Sequence, residues 1–247
     1  MGELIGVLSG KGGTGKTSLC AGVATALSQM GYRVLCIDCD VGLRNLDISL
    51  GMDQIPALSF TEVSQGGYSL DFAARHPQFQ NLYFLTAPVS ATAGQVDALA
   101  FANMLQKARK KFHYVFLDAP AGIEAGFSLA AKFADRIVLV TGPDPAAIRD
   151  AGRTGDVLEL MGKRNVRLIV NRVNPKMIST LHLTVDDIMD RTGLPLLGVV
   201  PEDNHVVLAA AFRQPLLKRT KKGAAAACKR IACRLEGSNV PIRRRLK

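Results

Sequence analysis

The 247-residue sequence has no apolar run approaching the roughly 18–20 residues that span a bilayer. Its start lacks the basic segment and cleavage site of a secretory signal. Gly6 stands where an N-myristoylation signal beginning at Gly2 needs Ser or Thr. The five cysteines are odd in number and show no framework spacing, so reduced thiols in the cytosol are expected. Cys36-Ile-Asp-Cys39 ends an apolar run, and residues three apart on a strand point to opposite faces, which argues against a redox or metal pair. The four histidines are scattered and offer no ligand spacing. No internal repeat and no linker interrupts the chain, and a hydrophobic content of 48% excludes a disordered one.

Acidic residues are also in short supply, with 21 Asp and Glu against 31 Lys and Arg and a net charge of +10. The excess is local. Residues 213–247 carry twelve basic side chains and one acidic, a net of +11, which leaves the first 212 residues at −1. The sequence therefore describes a neutral body with a basic end, and a basic end suggests nucleic acid or an anionic membrane as partner.

Short apolar, β-branched runs at 4–8, 33–37, 82–85, 114–117, 137–140, 166–170 and 196–200 alternate with helical stretches at 16–30, 95–111, 125–134, 146–161, 185–191, 205–211 and 224–235. Continuous apolar runs suit parallel strands buried on both faces. The alternation predicts an α/β fold: a doubly wound, mostly parallel sheet with helices on both faces, occupying residues 1–237 and followed by a basic tail at 238–247. Ligands of such folds bind beyond the C-terminal ends of the strands.

Beyond the first run lies Gly10-Lys11-Gly12-Gly13-Thr14-Gly15-Lys16-Thr17, which matches G-x-x-x-x-G-K-[ST] between a strand and a helix. Glycines let backbone N–H groups close around phosphate oxygens, and the helix start adds the positive end of its dipole. Lys16 would hold the β and γ phosphates, and Thr17 would place its hydroxyl on Mg²⁺. The candidate nucleotide contacts here are Gly10, Lys11, Gly12, Gly13, Thr14, Gly15, Lys16, Thr17 and Ser18. Tyr114-Val115-Phe116-Leu117-Asp118 is an apolar strand ending in a carboxylate, the Walker B form, with Asp118 expected to hold Mg²⁺ through a water. No Asn/Thr-Lys-x-Asp guanine signature follows, so ATP and ADP are the expected nucleotides.

The second lysine, Lys11, is not required by one molecule's phosphates. With it, the loop resembles the deviant Walker A motif of the MinD/ParA ATPases. Two further strings resemble the MinD branch: Asp38-Cys39-Asp40-Val41-Gly42-Leu43-Arg44-Asn45-Leu46-Asp47 is similar to its switch I, and Asp118-Ala119-Pro120-Ala121-Gly122-Ile123-Glu124 to its switch II. The resemblance implies a slow, partner-stimulated ATP hydrolase that forms a homodimer with ATP bound. In that reading Lys11 reaches the partner's phosphates, Asp40 positions the attacking water and Asp38 shapes the magnesium shell. Asp47 is open between a functional role and a helix cap. Asn171-Arg172 and Pro201-Glu202-Asp203 resemble the adenine-side loops, where Asn171 can present a donor and an acceptor to the adenine edge, with a strand-end cap as its alternative role.

The family's partners are the septum inhibitor MinC and a MinE-type or other adaptor regulator. Its task is placing the division septum, from the cytoplasm and peripherally at the inner face of the cell membrane. Where relatives carry Ser or Thr near the start of the helix at 146–161, this chain has Pro145-Ala146-Ala147, a departure on the regulator-docking side. The C-terminal end departs too. Only Ile242 and Leu246, spaced i, i+4, would share an inserting helical face, so membrane attraction is expected to be mainly electrostatic. Non-specific DNA binding, as in ParA relatives, is the alternative use of the same charge.

Overall fold

Apolar residues on both faces of each run decide the architecture. The structure is a computed structural model that describes residues 1–89, 93–123 and 125–242. Its strands are β1 (Glu3–Leu8), β2 (Val34–Asp38), β3 (Ala74–Arg75), β4 (Leu82–Leu85), β5 (Tyr114–Asp118), β6 (Arg136–Thr141), β7 (Val166–Val173) and β8 (Leu196–Pro201). They form one sheet in the order β3-β4-β2-β5-β1-β6-β7-β8. Every pairing among them is parallel except the short edge pairing of β3 with β4.

The helices are α1 (Lys16–Gln29), α2 (Leu46–Leu50), α3 (Phe60–Ser64), α4 (Ala98–Lys111), α5 (Ala125–Phe133), α6 (Pro145–Leu160), α7 (Pro175–Thr180), α8 (Val185–Thr192), α9 (Asn204–Ala211), α10 (Leu216–Arg219) and α11 (Gly223–Leu235). Successive strand residues serve different faces. Ile5, Cys36, Phe116 and Val138 join α1 and α11 in one core. Leu4, Leu35, Val115 and Leu139 join α4 and α5 in another. A third cluster, including Ile148, Leu168, Ile188 and Leu196, covers the β7–β8 side. Cys36 and Cys39 fall in different cores, and all five cysteines are free thiols. Among the described residues no helix is long and apolar enough to cross a membrane.

The α4 start moves from the expected position 95 to Ala98, because Asp97 caps the helix by accepting from the Leu99 and Ala100 amides. Asp47 is not a cap: it lies inside the first turn of α2, behind Asn45. The larger difference is at the basic end. Residues 238–242, expected to be part of a free tail, lie against the body. Arg234 donates from Nε to the Val240 carbonyl at 2.8 Å and from Nη2 to the Pro241 carbonyl at 2.6 Å. Ile242, expected to insert into lipid beside Leu246, packs on the third core cluster instead. Its partner in that reading, Leu246, lies outside the described residues.

Candidate functional site

The order β2-β5-β1 places three strand ends side by side. Residues 9–15 leave β1 and turn into α1. Gly10 has no room for a side chain, since a Cβ there would lie 2.5 Å from both the Asp150 carbonyl oxygen and Thr154 Oγ1 of α6. The obstacle is partly backbone, so Gly10→Ala is expected to destabilise the fold by about 1–3 kcal/mol. It should also weaken ATP binding by displacing the loop; thermal unfolding and nucleotide titration test both, and unchanged values would refute the contact. Gly15, at φ 85, precedes α1 in the left-handed region. The start of α1 has no side-chain cap and no acidic residue in its first turn, so its amides remain available to an anion.

Lys16 points from that turn into the sheet end. Its Nζ donates to Asp118 Oδ1 at 2.8 Å and to Thr17 Oγ1 at 3.3 Å, with both members of the ion pair buried. Burial opposes the ammonium, but the Asp118 carboxylate outweighs it and holds the Lys16 pKa above its ordinary value. Asp38 lies in register with Asp118 on the neighbouring strand. Burial and the Asp118 charge push the Asp38 carboxyl up to about 7. The Asp38 oxygens accept from the amides of Asp40 (2.9 Å), Asn45 (3.2 Å) and Leu46 (3.1 Å), which fastens the loop of residues 40–45. No hydrogen bond or ion pair among the described residues holds the Asp40 carboxylate. Burial raises its pKa, with Lys16 opposing and Asp118 reinforcing the shift.

Lys11 stands at the outer rim, 3.1 Å from Asp144 Oδ1, with both side chains roughly half exposed. Asp144 also caps α6 by accepting from the Ala147 amide at 3.0 Å. Burial alone would raise the Asp144 pKa, but the Ala147 amide and Lys11 together hold it below the usual carboxylate range. Spacing along the chain does not connect Asp144 to Lys11. Its signal was the cap followed by proline in Asp144-Pro145, a helix-start pattern. Glu124 of the switch II string lies outside the described residues.

Ser18, Asn171, Arg172, Pro201, Glu202 and Asp203 meet around a groove of about 260 Å³ beside the loop. Several of these residues also brace the surrounding structure. Asn171 Nδ2 donates to the Thr14 carbonyl at 2.7 Å, Arg172 Nη1 to the Gly13 carbonyl at 3.2 Å. Asp203 caps α9 through the His205 amide and also accepts from the Ala224 amide at the start of α11. Asn171 therefore spends a donor on the phosphate loop.

The residues fit a nucleotide with Mg²⁺. Thr14 Oγ1 and Ser9 Oγ are buried without a partner among the described residues. No cluster of three or more His, Cys, Asp or Glu there could hold a metal. Mg²⁺ is commonly bound through one or two carboxylates and substrate phosphates rather than an all-protein cage, and Asp118 beside Thr17 offers that arrangement.

Comparison with known proteins agrees. Residues 5–216 match the family model described as the CobQ/CobB/MinD/ParA nucleotide binding domain. The septum site-determining protein MinD of Synechocystis sp. is 36% identical over 245 residues, spanning 98% of this chain and 92% of that protein. MinD in the MinC:MinD cell division complex of Aquifex aeolicus superposes with a TM-score of 0.90 at 34% identity, covering 98% of each chain. MinD of Pyrococcus horikoshii complexed with Mg-ADP gives a TM-score of 0.84 at 28% identity, covering 96% of this chain and 97% of that one. With its phosphate loop, paired strand-end carboxylates and near full-length similarity, the chain belongs to the CobQ/CobB/MinD/ParA nucleotide-binding family, as a MinD-like ATPase.

Proposed function

We propose that the chain hydrolyses ATP to drive a reversible cycle of dimerisation and membrane association that governs septum placement, with hydrolysis resetting the cycle. The buried Lys16–Asp118 pair at the uncapped start of α1 carries the reading. Lys16 and the loop amides bind the phosphates, and in doing so Lys16 leaves Asp118. Thr17 and Asp118 would then hold Mg²⁺, with Asp38 keeping the adjoining loop in place. That ion, when bound, supplies charge neutralisation between the phosphate groups. Asp40, whose carboxylate no hydrogen bond or ion pair holds among the described residues, orients the attacking water.

Lys11, half exposed and paired only at the rim, exchanges Asp144 for the phosphates of the second subunit. The groove around Asn171, Arg172, Pro201, Glu202 and Asp203 takes the base, where Asn171 keeps its amide oxygen as an acceptor. MinC, which the Aquifex aeolicus complex contains, is the expected partner. A MinE-type or other adaptor would stimulate a slow intrinsic turnover. With Ile242 packed on the protein, residues 243–247, four cations and one leucine in sequence, are the proposed C-terminal contact with an anionic membrane.

Co-sedimentation with anionic vesicles and with duplex DNA, each with ADP and with ATP, tests the cycle. Pelleting on vesicles is expected only with ATP, should decline steeply between low and high salt, and should weaken when residues 243–247 are removed. ATP-dependent pelleting on DNA alone would favour the ParA-like alternative. Vesicle binding that is insensitive to salt would overturn the electrostatic account.

A further inference from the structure

The two ends of the parallel sheet are chemically unlike. The strands finish at the nucleotide site, among Asp38, Asp40, Asp118 and Asp144. At the other end the helices finish and the strands begin. There α6 runs out into Leu160-Met161-Gly162-Lys163-Arg164-Asn165 before β7. Leu160 is 88% exposed and Met161 is 38% exposed. The turn is nevertheless anchored: Lys163 Nζ donates to the carbonyl oxygens of Lys132 (2.7 Å) and Ala134 (3.0 Å) at the end of α5. Two aliphatic side chains are thus held out from a fixed turn, with Arg164 exposed beside them.

The C-terminal segment lies at the same end of the sheet, beside the start of β8. Arg234 on α11 donates to the Leu197 carbonyl at 3.0 Å as well as to Val240 and Pro241. Ile242 then packs on the cluster formed by α6, β7, α8 and β8, across the sheet from α11. The segment therefore passes beneath the start of β8 onto the α6 side, and β8 adjoins the β7 strand that the turn feeds. Ile242 is followed in sequence by Arg243-Arg244-Arg245-Leu246-Lys247.

We propose that residues 160–164 are a second membrane contact, in which Leu160 and Met161 enter the interfacial layer of an anionic bilayer and Arg164 meets lipid phosphate. This rests on the membrane reading of the tail. Glu159, exposed one residue earlier, offsets one positive charge, so the aliphatic pair is the part that selects a bilayer over DNA. A duplex gains nothing from Leu160, whereas a lipid interface removes it from water. Because the turn is already ordered, its insertion avoids much of the conformational cost that a free tail incurs. The contact also supplies what residues 243–247 lack, since they contain a single aliphatic side chain.

The full-length chain with ATP is titrated with vesicles of phosphatidylglycerol and phosphatidylcholine. Leu160→Ser with Met161→Ser is expected to weaken binding roughly tenfold or more, and Arg164→Glu severalfold. Lys221→Glu, the same charge change near the start of α11 at the opposite end, should leave binding near the wild-type value. The chain has no tryptophan, so Leu160→Trp supplies a single indole whose emission should shift to the blue on vesicles and be quenched by brominated lipid. Wild-type-like binding of the serine variant, with no spectral shift, would overturn the inference while leaving the membrane reading intact. Failure of the wild-type chain to bind any vesicle would remove both. ATP-dependent DNA binding that needs Arg164 but not Leu160 would replace the bilayer with a nucleic acid.

Discussion

Lys16→Met is expected to destabilise the folded chain by about 3–5 kcal/mol and to reduce ATP turnover to background. Two consequences follow from one deletion. Asp118 and Asp38 face each other across adjacent strands, both 1% exposed. Lys16 is the cation in hydrogen-bonding contact with Asp118. Without it, two desolvated carboxyl groups share one site, and at least one must bind a proton. Asp38, already at about 7, is the group nearest to doing so. The loss of turnover has a separate cause, since methionine offers no charge to phosphate. The double variant Lys16→Met with Asp118→Asn separates the two. Urea unfolding should show most of the stability restored, while phosphate release stays at background. An unchanged unfolding midpoint in the single variant would mean that the pair contributes nothing to the fold.

Asp40→Ala should lower turnover by about 10²–10⁴ while leaving ATP binding and ATP-dependent dimerisation in place. The choice between the two switch carboxylates comes from their contacts. Asp38 accepts from three backbone amides and anchors the loop. Asp40 has no such restraint and is partly open to solvent, so it is the carboxylate able to meet a water. Single-turnover phosphate release reads the chemistry, and light scattering with ATP reads the dimer. A variant that dimerises and still hydrolyses at the wild-type rate would transfer the role elsewhere. One that no longer dimerises would assign Asp40 to assembly.

The phosphate loop and the seven apolar runs were legible because each carries a signal in adjacent residues: glycine spacing in one case, clustered hydrophobicity in the others. The short elements were not. The α2, α3, α7 and α10 helices have four to six residues, too few to repeat a 3.6-residue pattern. Local caps were their available signal. Ser59 and Glu62 form a capping box at α3, and Asn174 precedes Pro175 at α7. Contacts between distant segments were harder still. That Lys11 meets Asp144, 133 positions away, or that Asn171 donates to Thr14, depends on strand order, which spacing along the chain does not encode. Ile242 shows the converse error. Set before a run of arginines, an isolated isoleucine looked like a lipid anchor, but the nearest apolar surface was the protein's own core.

The Arg234 clamp also defines how a pull on the C terminus would travel. Tension on residues 243–247 meets the packed Ile242 and then three carbonyls gathered by one guanidinium. Through Arg234 it enters α11, which lies tightly along α1: a Cβ on Gly22 would come within 2.7 Å of Cys228 Sγ. The α1 helix begins at Lys16. Under the proposed membrane association, drag on the C terminus would be led along this short path to the helix whose first residue is the proposed phosphate-binding Lys16, coupling the proposed anchor to the proposed nucleotide switch.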